Sequence, residues 1–124
     1  MLAEVETSYV KIWKEDGILY ATFSDNLNID LDTAIQCVHE RIKFSNGTSY
    51  PCLFDMSNVR SANKQAREYM ANEGAKYVRA GALLVDSPLT KTIGNIFLTV
   101  NKPPVPTKLF TDETEAKNWL TQYL

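Results

Sequence analysis

The chain has 124 residues, 44% of them hydrophobic and 23% charged, the balance expected of an ordinary soluble globular domain running over 1–124. Thirteen basic and fifteen acidic side chains leave a formal charge of −2, so no basic excess points to nucleic acid or to an anionic membrane surface. No apolar run approaches the roughly 20 residues of a membrane span. The N-terminal MLAEVETSYV lacks the basic segment and apolar core of a secretion signal.

Residues 5–14 and 18–23 are rich in Val, Ile, Tyr, Trp and Thr and flank Glu15-Asp16-Gly17. Asp-Gly between two β-prone runs predicts a hairpin, because a type I′ turn needs positive φ at both central positions. Ser24 to Asp30 is polar and reads as a loop. From there Leu31, Ala34, Ile35, Val38 and Ile42 recur at helical spacing, with Gln36 and Glu40 on the other side. That pattern predicts an amphipathic helix capped by Asp30 and ended by Asn46-Gly47. His39 falls at the margin of its apolar face and reads as a flank residue with no special role. It is the only histidine, and neither a metal site nor a cofactor is expected. Cys37 and Cys52 have no metal-type spacing and read as reduced, buried thiols of a cytoplasmic protein.

The run Tyr50 to Phe54 is apolar without alternation, which predicts a strand buried on both faces at the centre of a sheet. Asp55 to Arg60 follows as a polar turn. A helix is expected to begin near Ser61, with Ala62, Ala66, Tyr69 and Met70 inward and Gly74 as its stop. Ala75 to Arg79 fits either a further helical turn or a linker. Ala80 to Val85 is a second central strand, and Asp86-Ser87-Pro88 is a favoured helix start. In the helix that follows, Leu89, Ile93, Ile96, Phe97 and Val100 form the expected inner face, leaving Gly94 and Leu98 roughly opposite. Asn101 to Pro106 is a stiff extended connector, and 107–111 a short strand. Asp112 with Glu115 matches a capping box ahead of a helix whose inner residues are Ala116, Trp119, Leu120 and Tyr123. The order is ββαβαβαβα: an α/β chain with a mixed five-stranded sheet and helices packed on it.

This order, with Asp55-Met56-Ser57-x-Val59 closing the third strand, resembles the STAS-like fold of bacterial anti-sigma-factor antagonists, the SpoIIAA-like proteins. Ser87-Pro88-Leu89 through Gly94-Asn95, the Lys102-Pro103-Pro104-Val105-Pro106 connector and Phe110-Thr111-Asp112-Glu113 to Trp119-Leu120 are similar to small uncharacterised bacterial proteins of that superfamily. The resemblance implies a phosphorylatable serine at the start of the second helix, inside an Asp-Ser-Ser-Gly motif. Asn63-Lys64-Gln65-Ala66 stands at that address. The acceptor serine is missing, so the phosphoswitch does not carry over.

Parallel central strands would bring two turns to one sheet edge, setting Asp55, Ser57, Asn58 and Arg60 opposite Asp86, Ser87, Lys91 and Asn95. Two helix N-termini and two cations there suit a small anion or a partner's carboxylate. The plain alternative is that Ser61 and Ser87 are ordinary caps and the charges are solvated. No glycine-rich loop supports a nucleotide site. Gly94 and Leu98 form a second candidate, a flat patch for self-association or for a partner helix. Three functional readings follow. The first is a non-enzymatic interaction module with an unknown protein partner, and the second a small-molecule or lipid-binding domain with its pocket near the Ser87 helix. The third is an enzyme using Asp55 or Asp86 as an acid–base residue.

Overall fold

The computed structural model describes residues 4–124; the first three residues of the N-terminal stretch and of the 1–124 domain lie outside it. Strands β1 (Glu4–Glu6), β2 (Val10–Glu15) and β3 (Ile18–Phe23) form an antiparallel meander. Asp16 and Gly17, at φ 53° and 80°, make the predicted turn. The chain then continues through β4 (Leu27–Ile29), α1 (Leu31–Ser45), β5 (Tyr50–Asp55), β6 (Val59–Ala62) and α2 (Lys64–Asn72). It closes with β7 (Val78–Leu84), α3 (Pro88–Ile96), β8 (Thr107–Phe110) and α4 (Glu113–Leu120).

The main sheet has six strands in the order β1-β2-β3-β5-β7-β8, parallel from β3 onward. β4 and β6 pair in parallel as a separate two-stranded sheet. The architecture is therefore the expected mixed α/β one, with an extra edge strand and a small second sheet in place of five strands. The central strands are β5 and β7, as their two-sided apolar character required. Successive residues serve opposite faces. Ile18, Tyr20, Leu53, Ala80, Ala82, Leu84 and Phe110 pack under α4 with Ala116 and Leu120. Leu19, Ala21 and Cys52 face the other way, as do Leu83 and Val85, toward the side that carries α1, α2 and α3.

Four readings change in detail. Ser24 to Asp30 is not all loop, because Leu27–Ile29 forms β4. Helix α2 does not start near Ser61, because 59–62 is strand; Ser61 Oγ bonds Asn28 Oδ1 at 2.7 Å, and Asn63 is the cap, accepting from the Ala66 amide at 2.9 Å. The ambiguous stretch after Gly74 resolves into a 3₁₀ turn over Glu73–Ala75, then Tyr77 in the left-handed region (φ 61°), then β7. Asp112 accepts from the Glu115 amide at 3.2 Å, which is half of the expected capping box. Asp30 does cap α1, accepting from the Thr33 amide at 2.9 Å, which holds its carboxyl below the usual range.

Two helix faces differ in composition from their apolar stripes. In α1 the buried residues are Thr33, Ala34, Cys37, Val38, Arg41 and Ser45, while Leu31 and Ile35 are exposed. In α3 the inward stripe runs through Thr90, Ile93, Gly94, Phe97 and Leu98, and Leu89 and Val100 are 51% and 65% exposed. The spacing 90, 93, 94, 97, 98 is that of a single helical face. Its threonine and glycine conceal it from a hydrophobicity pattern. Past Ile96 the helix widens into a π turn over Phe97–Asn101, and Lys102 closes it with φ 48°.

Candidate functional site

The parallel strands β5 and β7 bring the turns that follow them to one end of the sheet. Asp55 pairs in register with Leu84, two residues before Asp86, and the Met56 amide donates to the Leu84 carbonyl at 2.8 Å. Asp55 Oδ1 accepts from the Ser57 amide at 3.0 Å and from Ser57 Oγ at 2.6 Å. Asn58 is drawn toward β3, its Nδ2 donating to the Phe23 carbonyl at 3.1 Å. Across the edge, Ser87 and Thr90 cap α3 reciprocally: Ser87 Oγ accepts from the Thr90 amide and Thr90 Oγ1 from the Ser87 amide, both at 3.1 Å. Thr90 is 2% exposed and also accepts from the Asp86 amide.

The turn after β5 leads into β6, so it is not a helix N-terminus. The N-termini of α2 and α3 are each closed by a side-chain cap. Those caps take up amides that would otherwise receive an anion. What the edge leaves outward is a set of exposed side chains on a bonded backbone: Arg60, Asp86, Lys91 and Asn95, with Leu89 beside them on α3; Asp86 Oδ1 also accepts from Thr90 Oγ1 at 3.5 Å.

Gly94 and Leu98 are placed differently from expectation. Gly94 is buried where α3 crosses β8, and a Cβ there would collide with Leu109 Cδ1. Leu98 is half-buried against the same cluster. The pair belongs to the inner face of α3, so the flat surface patch for self-association does not form.

A second site lies inside the fold. A cavity of about 110 Å³ opens between the sheet and α1, α2 and α3, with Phe54 and Leu83 on the sheet side and Met70 and Phe97 on the helix side. Its wall is overwhelmingly apolar, yet Arg41 and Arg67 line it and no Asp or Glu does. Arg67 is engaged: Nη1 donates to the Ala62 carbonyl at 2.6 Å and Nε to Asn101 Oδ1 at 3.1 Å, tying α2 to the π turn of α3.

Arg41 is 3% exposed. Its Nη2 donates to the Gly74 carbonyl at 2.9 Å, whereas Nη1 is buried without a partner. Among the described residues no carboxylate pairs with it. Burial in low dielectric pushes its pKa below the ordinary arginine value. The neighbouring thiols respond in kind, Cys37 pushed up to about 11 and Cys52 to about 12, both chiefly by burial. Both cysteines are free. The cavity has Ile93, Phe97, Pro103 and Val105 in its wall, so it lies near the Ser87 helix, where the small-molecule reading set its pocket; Arg41 was missed because an arginine on a helix face reads as outward. Its signal was spacing: it completes the series Ala34, Cys37, Val38, Arg41, Ser45.

With this geometry in view, the fold places the chain among proteins with a SpoIIAA-like, STAS-like architecture. It aligns over 94% of its length, and 98% of the other chain, with the crystal structure of an uncharacterised DUF3478-family protein with a SpoIIAA-like fold from Shewanella loihica PV-4 (TM-score 0.62, 14% identity). It also aligns over 90% of its length, and 92% of the other, with an anti-sigma factor antagonist from Mycobacterium paratuberculosis (TM-score 0.66, 18% identity). At those identities the likeness is one of fold. No curated protein matches the sequence. The chain belongs to the family described as a domain of unknown function, DUF7793, which matches residues 12–124.

Proposed function

We propose that this chain is a non-enzymatic regulatory module that binds another protein through the strand-end edge around Arg60, Asp86, Leu89, Lys91 and Asn95. The observation that carries the reading is the contrast at that edge. Its backbone is fixed by Asp55–Ser57, Asn58–Phe23 and the Ser87–Thr90 cap, while its charged and apolar side chains stand exposed to solvent. Pre-organised surfaces of this kind lose little entropy on docking. The fold shared with an anti-sigma factor antagonist supports the same reading. The α2 start at Asn63-Lys64-Gln65, capped by Asn63, has no acceptor serine, which weighs against a phosphorylation switch and leaves the reading one of constitutive binding. The two buried free thiols fit work in a reducing compartment such as the cytoplasm.

The test is affinity capture from the source cell with the wild-type chain and with the Arg60→Glu/Lys91→Glu variant. A stoichiometric partner held by the wild type and lost by the variant supports this edge. The same partner recovered equally by both, with the variant folded by circular dichroism, places the contact elsewhere. A capture with no stoichiometric partner removes the interaction reading.

A further inference from the structure

A buried guanidinium without a counter-charge is an expensive arrangement. Arginine stays protonated in proteins, and an isolated charge in an apolar interior costs several kcal/mol after relaxation. Arg41 has one neutral partner, the Gly74 carbonyl, and an unpartnered Nη1. The groups around it offer no relief. Across the cavity, β2 contributes Val10 and Ile12, β5 Phe54, and β7 Val78 and Leu83. α2 contributes a second cation, Arg67, which is occupied by other acceptors. The titratable neighbours Cys37 and Cys52 are thiols held neutral by their burial. The cavity therefore combines apolar walls with uncompensated positive charge. Its room comes from small residues at its margin, among them Gly74, Ala75 and Gly81.

We propose that this cavity is a binding site for a short-chain monocarboxylic acid, whose carboxylate pairs with Arg41 and whose alkyl tail lies among Phe54, Met70, Leu83 and Phe97. The inference goes beyond the protein-binding reading and does not depend on it. A carboxylate matches the planar fork of a guanidinium and supplies a single negative charge to a single available cation. A dianionic phosphate would bury a charge in excess. Size limits the tail: a cavity of about 150 Å³ accommodates the six carbons of benzene, so about 110 Å³ suits an acid of on the order of four carbons in all. Arg67, bonded to α3 through Asn101, holds the helix side of the cavity in place.

The test is a titration of the full chain with sodium butyrate, followed by calorimetry and thermal unfolding. The controls are butan-1-ol and the variants Arg41→Met and Gly81→Val. The expected result is saturable one-to-one binding of butyrate that raises the Tm, with at least a tenfold weaker response to butan-1-ol, of the size a charge-assisted bond supplies. Arg41→Met should lose at least tenfold in butyrate affinity and bind the acid and the alcohol alike. Gly81→Val keeps Arg41 and narrows the cavity, so it should lose both ligands. This variant keeps the proposal testable if Arg41→Met fails to fold. Butyrate bound equally by the wild type and Arg41→Met, or undiminished in folded Gly81→Val, overturns the proposal. So does the absence of saturable binding to the wild type up to about 1 mM, where affinity falls to roughly 4 kcal/mol.

Discussion

The two faces of the sheet are built on different terms. Under α4 the packing is dry and aromatic-rich. Leu53, Ala80, Ala82, Ala116 and Leu120 are essentially inaccessible. Trp13 stacks on Tyr20 at 5.3 Å, and Trp119 bridges Phe110 and Tyr123 at 5.6 and 5.1 Å. On the opposite face three helices cover the sheet, yet they leave a cavity and a buried cation between them. A fold of this size has stability to spare for one imperfect layer only if the other is close-packed. The division teaches where each role falls: one face holds the sheet together, and the other has room for something besides itself.

Truncation should expose this contrast most strongly. Leu120→Ala, in the solid layer, is expected to cost about 3–5 kcal/mol by chemical denaturation, whereas Leu83→Ala, which already borders empty space, should sit near 2 kcal/mol. Equal losses would mean that the two layers are packed alike.

Alkaline pH separates the faces by onset. Cys37 and Cys52 have folded pKa values raised from 9.0 to about 11 and about 12. Their contribution is fully present below pH 9 and is lost as pH climbs through 11 and 12, at about 1.4 kcal/mol per pH unit for each thiol. Tyr20, on the α4 face, is raised from 10.0 by desolvation, so its loss begins about one unit later. Denaturation midpoints measured across pH 8–11 should decline from near pH 9 in the wild type. In the Cys37→Ala/Cys52→Ala double variant the decline should start near pH 10. Coincident curves would remove the assignment.

Smaller effects sharpen the same picture. Gly94→Ala brings a methyl group against Leu109 Cδ1, the far end of a flexible side chain, and alanine's better helix propensity offsets part of the clash. The cost should therefore stay within about 1 kcal/mol; a loss above about 3 kcal/mol would mean that Leu109 cannot turn aside. Asn63→Ala removes the α2 cap and should cost about 1 kcal/mol. Arg41→Met, in the ligand-free protein, should leave stability unchanged or raise it by about 1 kcal/mol, because it removes a buried unpaired charge. A loss above about 3 kcal/mol would mean that the Gly74 bond anchors the fold.

Much of the architecture was legible in the residues. β5 and β7 declared themselves by being apolar on both faces, and Asp16-Gly17 fixed the hairpin. The α4 helix followed from Ala116, Trp119 and Leu120. What escaped has physical causes. β1, β4 and β6 are three or four residues long, too short for alternation to register. Val59-Arg60-Ser61-Ala62 passed for a helix entrance because serine is a common cap, although it is Asn63 that accepts the Ala66 amide. Hydrophobicity alone misjudged α3, whose inward face contains a buried threonine and a glycine chosen by proximity to Leu109. At the candidate edge, Asp55, Ser57 and Asn58 were placed by the strand order, but their hydrogen-bond partners depended on β6, which the sequence did not reveal. Of the cavity only a place near the Ser87 helix was legible; its extent and its buried Arg41 arise where helices α1, α2 and α3 meet rather than along any one segment.

The borders of the main sheet carry a consequence for how anything can attach to it. β1 is three residues long with exposed glutamates at both ends. β8 is four residues long, follows Pro106 and turns Lys108 outward. Short, charged borders of this sort discourage another chain from extending the sheet by backbone pairing. A partner of the kind proposed above would then meet side chains and helix surfaces, and the same borders guard the protein against stacking edge to edge when it is crowded.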